Sequence, residues 1–142
     1  MQETSTLPPI ELSISTPASP DEAWRTITDP ERVALWFTDA SAPGPVGSRY
    51  RLDFGDGTVV SGRITSLEPG RSFAHTWAWE GNEPEQVTAV TWTVEPEPGG
   101  GSRVSLVHDG WSEAGADEAT RADHLAYWSG YLDDLREVLK DD

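Results

Sequence analysis

Apolar residues first recur at alternate positions, Ile10, Leu12 and Ile14, so the patterned part of the chain opens on a β-strand. Ser19-Pro20-Asp21-Glu22 then supplies a helix N-cap, a proline at the first helical position and an acid three residues past the cap. The short helix it starts carries Ala23, Trp24 and Ile27. Asp29-Pro30 repeats the start signal for a second short helix with Val33, Trp36 and Phe37 on its apolar face, ended by Ala42-Pro43-Gly44-Pro45. Five further strand-like runs follow, at about residues 46–54, 58–67, 72–79, 86–95 and 102–109. Their connections, Gly55-Asp56-Gly57, Glu68-Pro69-Gly70, Gly81-Asn82 and Pro98-Gly99-Gly100-Gly101, are short and rich in turn residues, which predicts an antiparallel meander.

The last element is a helix over about residues 117–139. At about 100° per residue, Leu125, Tyr127, Trp128, Tyr131, Leu132, Leu135, Val138 and Leu139 share with His124 an arc of roughly 160°. Asp123, Asp133, Asp134, Arg136, Glu137 and Lys140 occupy the other side. So wide an apolar arc calls for a broad partner, and a curved sheet is the one this chain offers. Strand alternation turns one face of each strand toward that helix: Tyr50, Leu52 and Phe54; Val60, Gly62 and Ile64; Phe73, His75, Trp77 and Trp79; Val90, Trp92 and Val94; Val104, Leu106 and His108. On this reading all three histidines point inward.

Composition removes several functions. With 25 acidic against 10 basic residues the 142-residue chain carries a formal net charge of -15, which disfavours nucleic acid and anionic membrane surfaces as partners. The absence of cysteine excludes disulfides and thiolate chemistry. No apolar run approaches the ~20 residues of a membrane span, and the first nine residues lack the order of a signal peptide, so no membrane insertion and a cytoplasmic location are expected. Residues 1–8 read as a flexible tail and residues 9–142 as one domain.

The opening Pro20-Asp21-Glu22-Ala23-Trp24, Thr28-Asp29-Pro30-Glu31-Arg32 and Trp36-Phe37, then Gly62-Arg63-Ile64, His75-Thr76-Trp77, Val107-His108-Asp109-Gly110 and Gly130-Tyr131 with Leu135 and Val138, form an ordered set of motifs. In that order the chain resembles the SRPBCC superfamily of START and birch-pollen-allergen domains. Within it the chain resembles the family related to the activator of the heat-shock protein 90 ATPase. The resemblance implies an α+β helix-grip fold, with a curved antiparallel sheet of about six strands wrapped around a long C-terminal helix and two short helices after the first strand. It also implies a cavity between sheet and helix that holds a small apolar or aromatic ligand. A chaperone partner is the alternative that the family name raises, and a cavity enzyme of cyclase, dehydratase or hydrolase type using a histidine as acid or base is another.

The candidate ligand-binding residues are His75, Trp77, Trp92, His108, His124, Trp128 and Tyr131. Aromatic walls with a few polar groups are the usual make-up of a small-molecule site, although seven tryptophans in one chain serve equally well as core. The histidines are either hydrogen-bonding core residues or groups that contact ligand. A metal is not expected, because two of them lie two strands apart, roughly 10 Å, and no His pair or Cys set has ligand spacing. No cofactor and no catalytic residue is assigned. No carboxylate has the inward parity of a general base, no Ser sits in a nucleophile elbow, and the Gly99-Gly100-Gly101 run joins two strands rather than cradling phosphate. Gly62 and Gly130 either leave room for ligand or mark close backbone packing.

Overall fold

A computed structural model describes residues 7–55, 57–80, 87–111, 114 and 116–140. The expected turn at Gly81-Asn82, the Asp56 tip of the preceding turn, the start of the 86–95 strand at Gln86 and residues 1–6 of the tail lie outside these. The elements run β1 (Ile10–Thr16), α1 (Pro20–Thr28), α2 (Pro30–Val33), β2 (Asp39–Ala40), β3 (Arg49–Asp53), β4 (Val59–Glu68), β5 (Ser72–Trp79), β6 (Thr88–Pro96), β7 (Ser102–Asp109) and α3 (Glu118–Lys140).

The helix starts follow from their caps. The Ser19 hydroxyl accepts from the Glu22 N–H at 3.2 Å with Pro20 in the first turn, and the Asp29 carboxylate accepts from the Glu31 N–H at 3.1 Å. The second helix is shorter than expected, since regular helix ends at Val33 and the chain turns through Trp36 and Phe37 into β2. Trp36 is nonetheless buried, its indole N–H donating to the Thr26 carbonyl at 2.9 Å. Asp117 caps α3 through the Thr120 N–H at 2.9 Å and the Thr120 hydroxyl at 2.7 Å.

The strands form one antiparallel sheet in the order β1-β7-β6-β5-β4-β3-β2. It has seven strands against the six expected; the additional one, β2, is two residues long and carries too little alternation to announce itself. The hairpin between β4 and β5 turns at Glu68-Pro69-Gly70-Arg71, where the Arg71 N–H reaches the Glu68 carbonyl at 2.9 Å and Gly70 takes φ of 82°, the geometry of a type II turn. The sheet curls around α3 in the helix-grip arrangement, and α3 lies nearest β1.

Inward parity holds across β5, β6 and β7, and in β4 it is interrupted by a register shift between Ile64 and Ser66. One rung runs Ile10, His108, Val90, His75, Ile64 from β1 to β4, and every member is buried. The helix buries His124, Trp128, Leu132, Leu135 and Leu139, but Tyr127, expected within the apolar arc, is 58% exposed. At the N-terminal end, Leu7 packs against the core, and Arg121 of α3 donates to the carbonyls of Pro8 and Pro9 at 2.6 and 3.1 Å.

Candidate functional site

A cavity of about 360 Å³ lies between the sheet and the N-terminal half of α3. The far end of β5 supplies Trp77 and Trp79, and α3 supplies His124, Tyr127, Trp128 and Tyr131. Phe37 enters from the turn after α2, while Phe54 and Thr58 flank the β3–β4 turn. Seven of these nine side chains are aromatic; some pairs meet at steep angles, such as Phe37 against Tyr131 at 4.7 Å and 70° and Trp77 against Trp79 at 5.6 Å and 89°, and others are tilted, such as Phe54 against Trp79 at 5.5 Å and 34°. The edge-to-face contacts suit the ring quadrupoles.

Two of the histidines are locked into tautomers by their partners. His124 donates through Nδ1 to the Thr120 carbonyl at 2.8 Å, one helical turn back, so its Nε2 is the lone-pair nitrogen that accepts the Trp79 indole N–H at 3.1 Å. In His108 the roles are reversed. Nδ1 accepts the Trp128 indole N–H at 2.9 Å, so Nε2 carries the proton and donates to the Thr88 hydroxyl at 2.7 Å, which in turn donates to the Trp77 carbonyl at 3.3 Å. His75 donates through Nδ1 to the Thr76 carbonyl at 2.9 Å.

Both locks require neutral imidazoles, and burial favours that state. Loss of solvent pushes His75 down to about 4; loss of solvent, then repulsion from His124 and His75, pushes His108 down to about 2. His124 is lowered by burial, partly offset by its bond to Thr120 and by the nearby Asp123 carboxylate. Among the described residues, Trp77 Nε1 is the one buried side-chain nitrogen or oxygen with no hydrogen-bond partner. Its ring stands at 65° to that of His108, 5.2 Å away. No group of three or more His, Cys, Asp or Glu side chains among the described residues is placed to hold a metal ion.

The motifs, the sheet and the gripped helix lead to one family, and residues 17–140 match its model, the activator of Hsp90 ATPase homolog 1-like protein. The chain belongs to this family. Among solved structures, this Aha1-like chain is similar to DynU16, from a dynemicin biosynthetic locus, with 29% identity and a TM-score of 0.80 over 92% of this chain and 46% of that one. It thus spans about half the length of DynU16. It is also similar to CalU16 of Micromonospora echinospora, with 26% identity and a TM-score of 0.75 over 95% of this chain and 81% of that one. The Aha1 dimer of Colwellia psychrerythraea matches with 25% identity and a TM-score of 0.76 over 94% and 97% of the two chains. No curated protein matches the chain. No helix among the described residues is long and apolar enough to cross a membrane.

Of the seven candidate residues in this Aha1-like chain, four line the cavity: Trp77, His124, Trp128 and Tyr131. The other three stand behind the wall. Trp92 meets Trp128 at 5.8 Å and 81°, His108 holds the Trp128 and Trp77 rings, and His75 sits between Tyr50, at 4.4 Å, and Trp77. Five wall residues, Phe37, Phe54, Thr58, Trp79 and Tyr127, are additional to that set. Phe54 and Trp79 share the inward parity of Leu52 and Trp77, so alternation carried to the strand ends finds them; Thr58 has no sequence signal. The two glycines do not make room. A Cβ on Gly62 would lie 2.0 Å from the Thr76 carbonyl oxygen, which marks close backbone approach, and Gly130 is on the exposed side of α3 with open space around it.

Proposed function

We propose that this chain binds a small, largely aromatic molecule in the cavity between the sheet and α3. The observation that carries the reading is the cavity itself, about 360 Å³ with seven aromatic side chains on its wall. Similarity to DynU16, from a dynemicin biosynthetic locus, is in keeping with this reading. Binding is favoured over catalysis because the wall histidine, His124, spends one ring nitrogen on Thr120 and the other on Trp79. A proton acceptor for chemistry would first have to give up an internal bond.

The test is titration of tryptophan emission with a panel of aromatic compounds, beside native mass spectrometry of freshly purified protein. Trp77, Trp79 and Trp128 line the site, so saturable quenching or a spectral shift is expected. No saturable response and no retained mass would overturn the reading. The family description also raises a chaperone ATPase as partner. Equimolar addition to a heat-shock protein 90 ATPase assay is expected to leave turnover nearly unchanged; a several-fold rise would move the reading from ligand to chaperone.

A further inference from the structure

We propose that the occupant of this cavity is a hydrophobic cation: an aromatic or N-alkylated ammonium compound. This rests on reading the cavity as a ligand site and adds the sign of the ligand's charge.

The wall contains neither Lys nor Arg, and seven of its nine members carry π faces, which are the negative regions of aromatic rings. The indole N–H groups of the wall are not offered to an anion. The Trp79 N–H is spent on His124, the Trp128 N–H on His108, and Trp77 Nε1 is shut away from solvent. A carboxylate or sulfonate entering here would find only the hydroxyls of Thr58, Tyr127 and Tyr131 on the wall to replace its water, and the desolvation of such an ion costs several kcal/mol. A quaternary ammonium sheds its weak hydration easily and gains attraction from each ring face it meets.

The charges that reach the wall have the same sign. Asp123 acts on His124 and Asp134 on Tyr131, both favouring positive charge nearby. Beyond the site, a formal net charge of -15 raises the local concentration of cations and repels anions at the approach.

The test compares three compounds of nearly one shape: benzyltrimethylammonium, its neutral carbon counterpart neopentylbenzene, and phenylmethanesulfonate. Tryptophan emission reports each. The cation is expected to bind at least ~10-fold tighter than the neutral compound, with the sulfonate weakest. The preference for the cation should survive about 0.5 M salt, since contact with ring faces is short-ranged whereas diffuse attraction is screened. Tyr127→Leu, at a half-exposed rim position, should reduce the cation-to-neutral ratio several-fold while leaving the melting temperature within about 2 °C. Equal or tighter binding of neopentylbenzene, or a ratio that collapses to one in salt, overturns the cation proposal and leaves the aromatic-ligand reading standing. Binding of none of the three overturns both.

Discussion

The two halves of α3 meet the same curled sheet with different chemistry, and the aromatic-walled cavity lies at one of them. The C-terminal half presents Leu132, Leu135 and Leu139, all buried, and among the described residues none beyond Tyr131 reaches the cavity wall. The N-terminal half presents His124, Trp128 and Tyr131 to Trp77, Trp79, Phe37 and Phe54, and there the cavity opens. Aliphatic side chains carry no polar atom to satisfy, whereas a buried indole N–H seeks a partner and so restricts how its ring can be placed. The bonds Trp79 to His124 and Trp128 to His108 fix the orientation of two wall rings as well as satisfying polar atoms.

Acid bears on the buried histidines and gives the largest predicted effect. A histidine whose folded pKa lies below its unfolded value of about 6.5 takes up a proton more readily when unfolded, so its contribution to stability is complete above that value and falls away as pH drops. At about pH 5, still above the folded values of about 4 for His75 and about 2 for His108, each histidine costs about 2 kcal/mol relative to neutral pH. Guanidinium denaturation at about pH 7.5 and about pH 5 should thus show a loss of about 4 kcal/mol, with His124 adding to it. Equal stability at the two values would mean that these imidazoles are not held neutral.

The aliphatic half answers to cavity formation instead. Leu135 is fully buried, so Leu135→Ala should cost about 3 kcal/mol at neutral pH. The acid loss should remain undiminished in that variant. A cost under about 1 kcal/mol would show the leucine end to be as loosely packed as the aromatic end, and the contrast between the halves would fail.

Sequence pattern carries this contrast only part of the way. Alternation in β5, β6 and β7 placed Phe73, His75, Trp77, Val90, Trp92, Val94, Val104, Leu106 and His108 inward, because a period of two leaves each residue one choice of face. Parity does not say how far along a strand the helix stops touching the sheet. His75 and Trp79 share a face but lie four residues apart, about 13 Å along β5, and only the second reaches the cavity. Trp92 and His108 are inward for the same reason and are covered by Trp128, a contact between distant elements that no local spacing encodes. Tyr127 fell on the apolar arc of the wheel, yet it stands at the rim because the curved sheet wraps less of the helix than the arc's full width.

The indole N–H groups give a finer comparison within the aromatic half. Trp128→Phe removes a donor and leaves buried His108 Nδ1 without its partner, at a cost of about 1–3 kcal/mol beyond the lost ring area. Trp77→Phe loses similar area but removes a donor that has no partner, so relief of that unpaired group offsets part of the cost. Chemical denaturation should therefore rank Trp128→Phe as clearly the more damaging of the two. Equal losses would mean that the Trp128 bond contributes nothing to holding the wall.

Gly130 gives the smallest effect and the opposite sign. It lies on α3 between the cavity residues Tyr127 and Tyr131, so its missing side chain invites the idea that it makes space for ligand. A Cβ built there meets nothing within 4 Å, and the residue faces solvent, away from the sheet. Gly130→Ala should then act only through helix propensity, raising stability by about 0.5–1 kcal/mol as the unfolded chain loses freedom and the helix interior gains a better former. Ligand affinity, read from tryptophan emission, should stay within about twofold of the parent, since a change confined to the solvent face leaves every wall contact in place. Weakened binding in the stabilised variant would place Gly130 on the cavity side after all, and would make the aromatic half of the helix a site shaped by backbone as well as by rings.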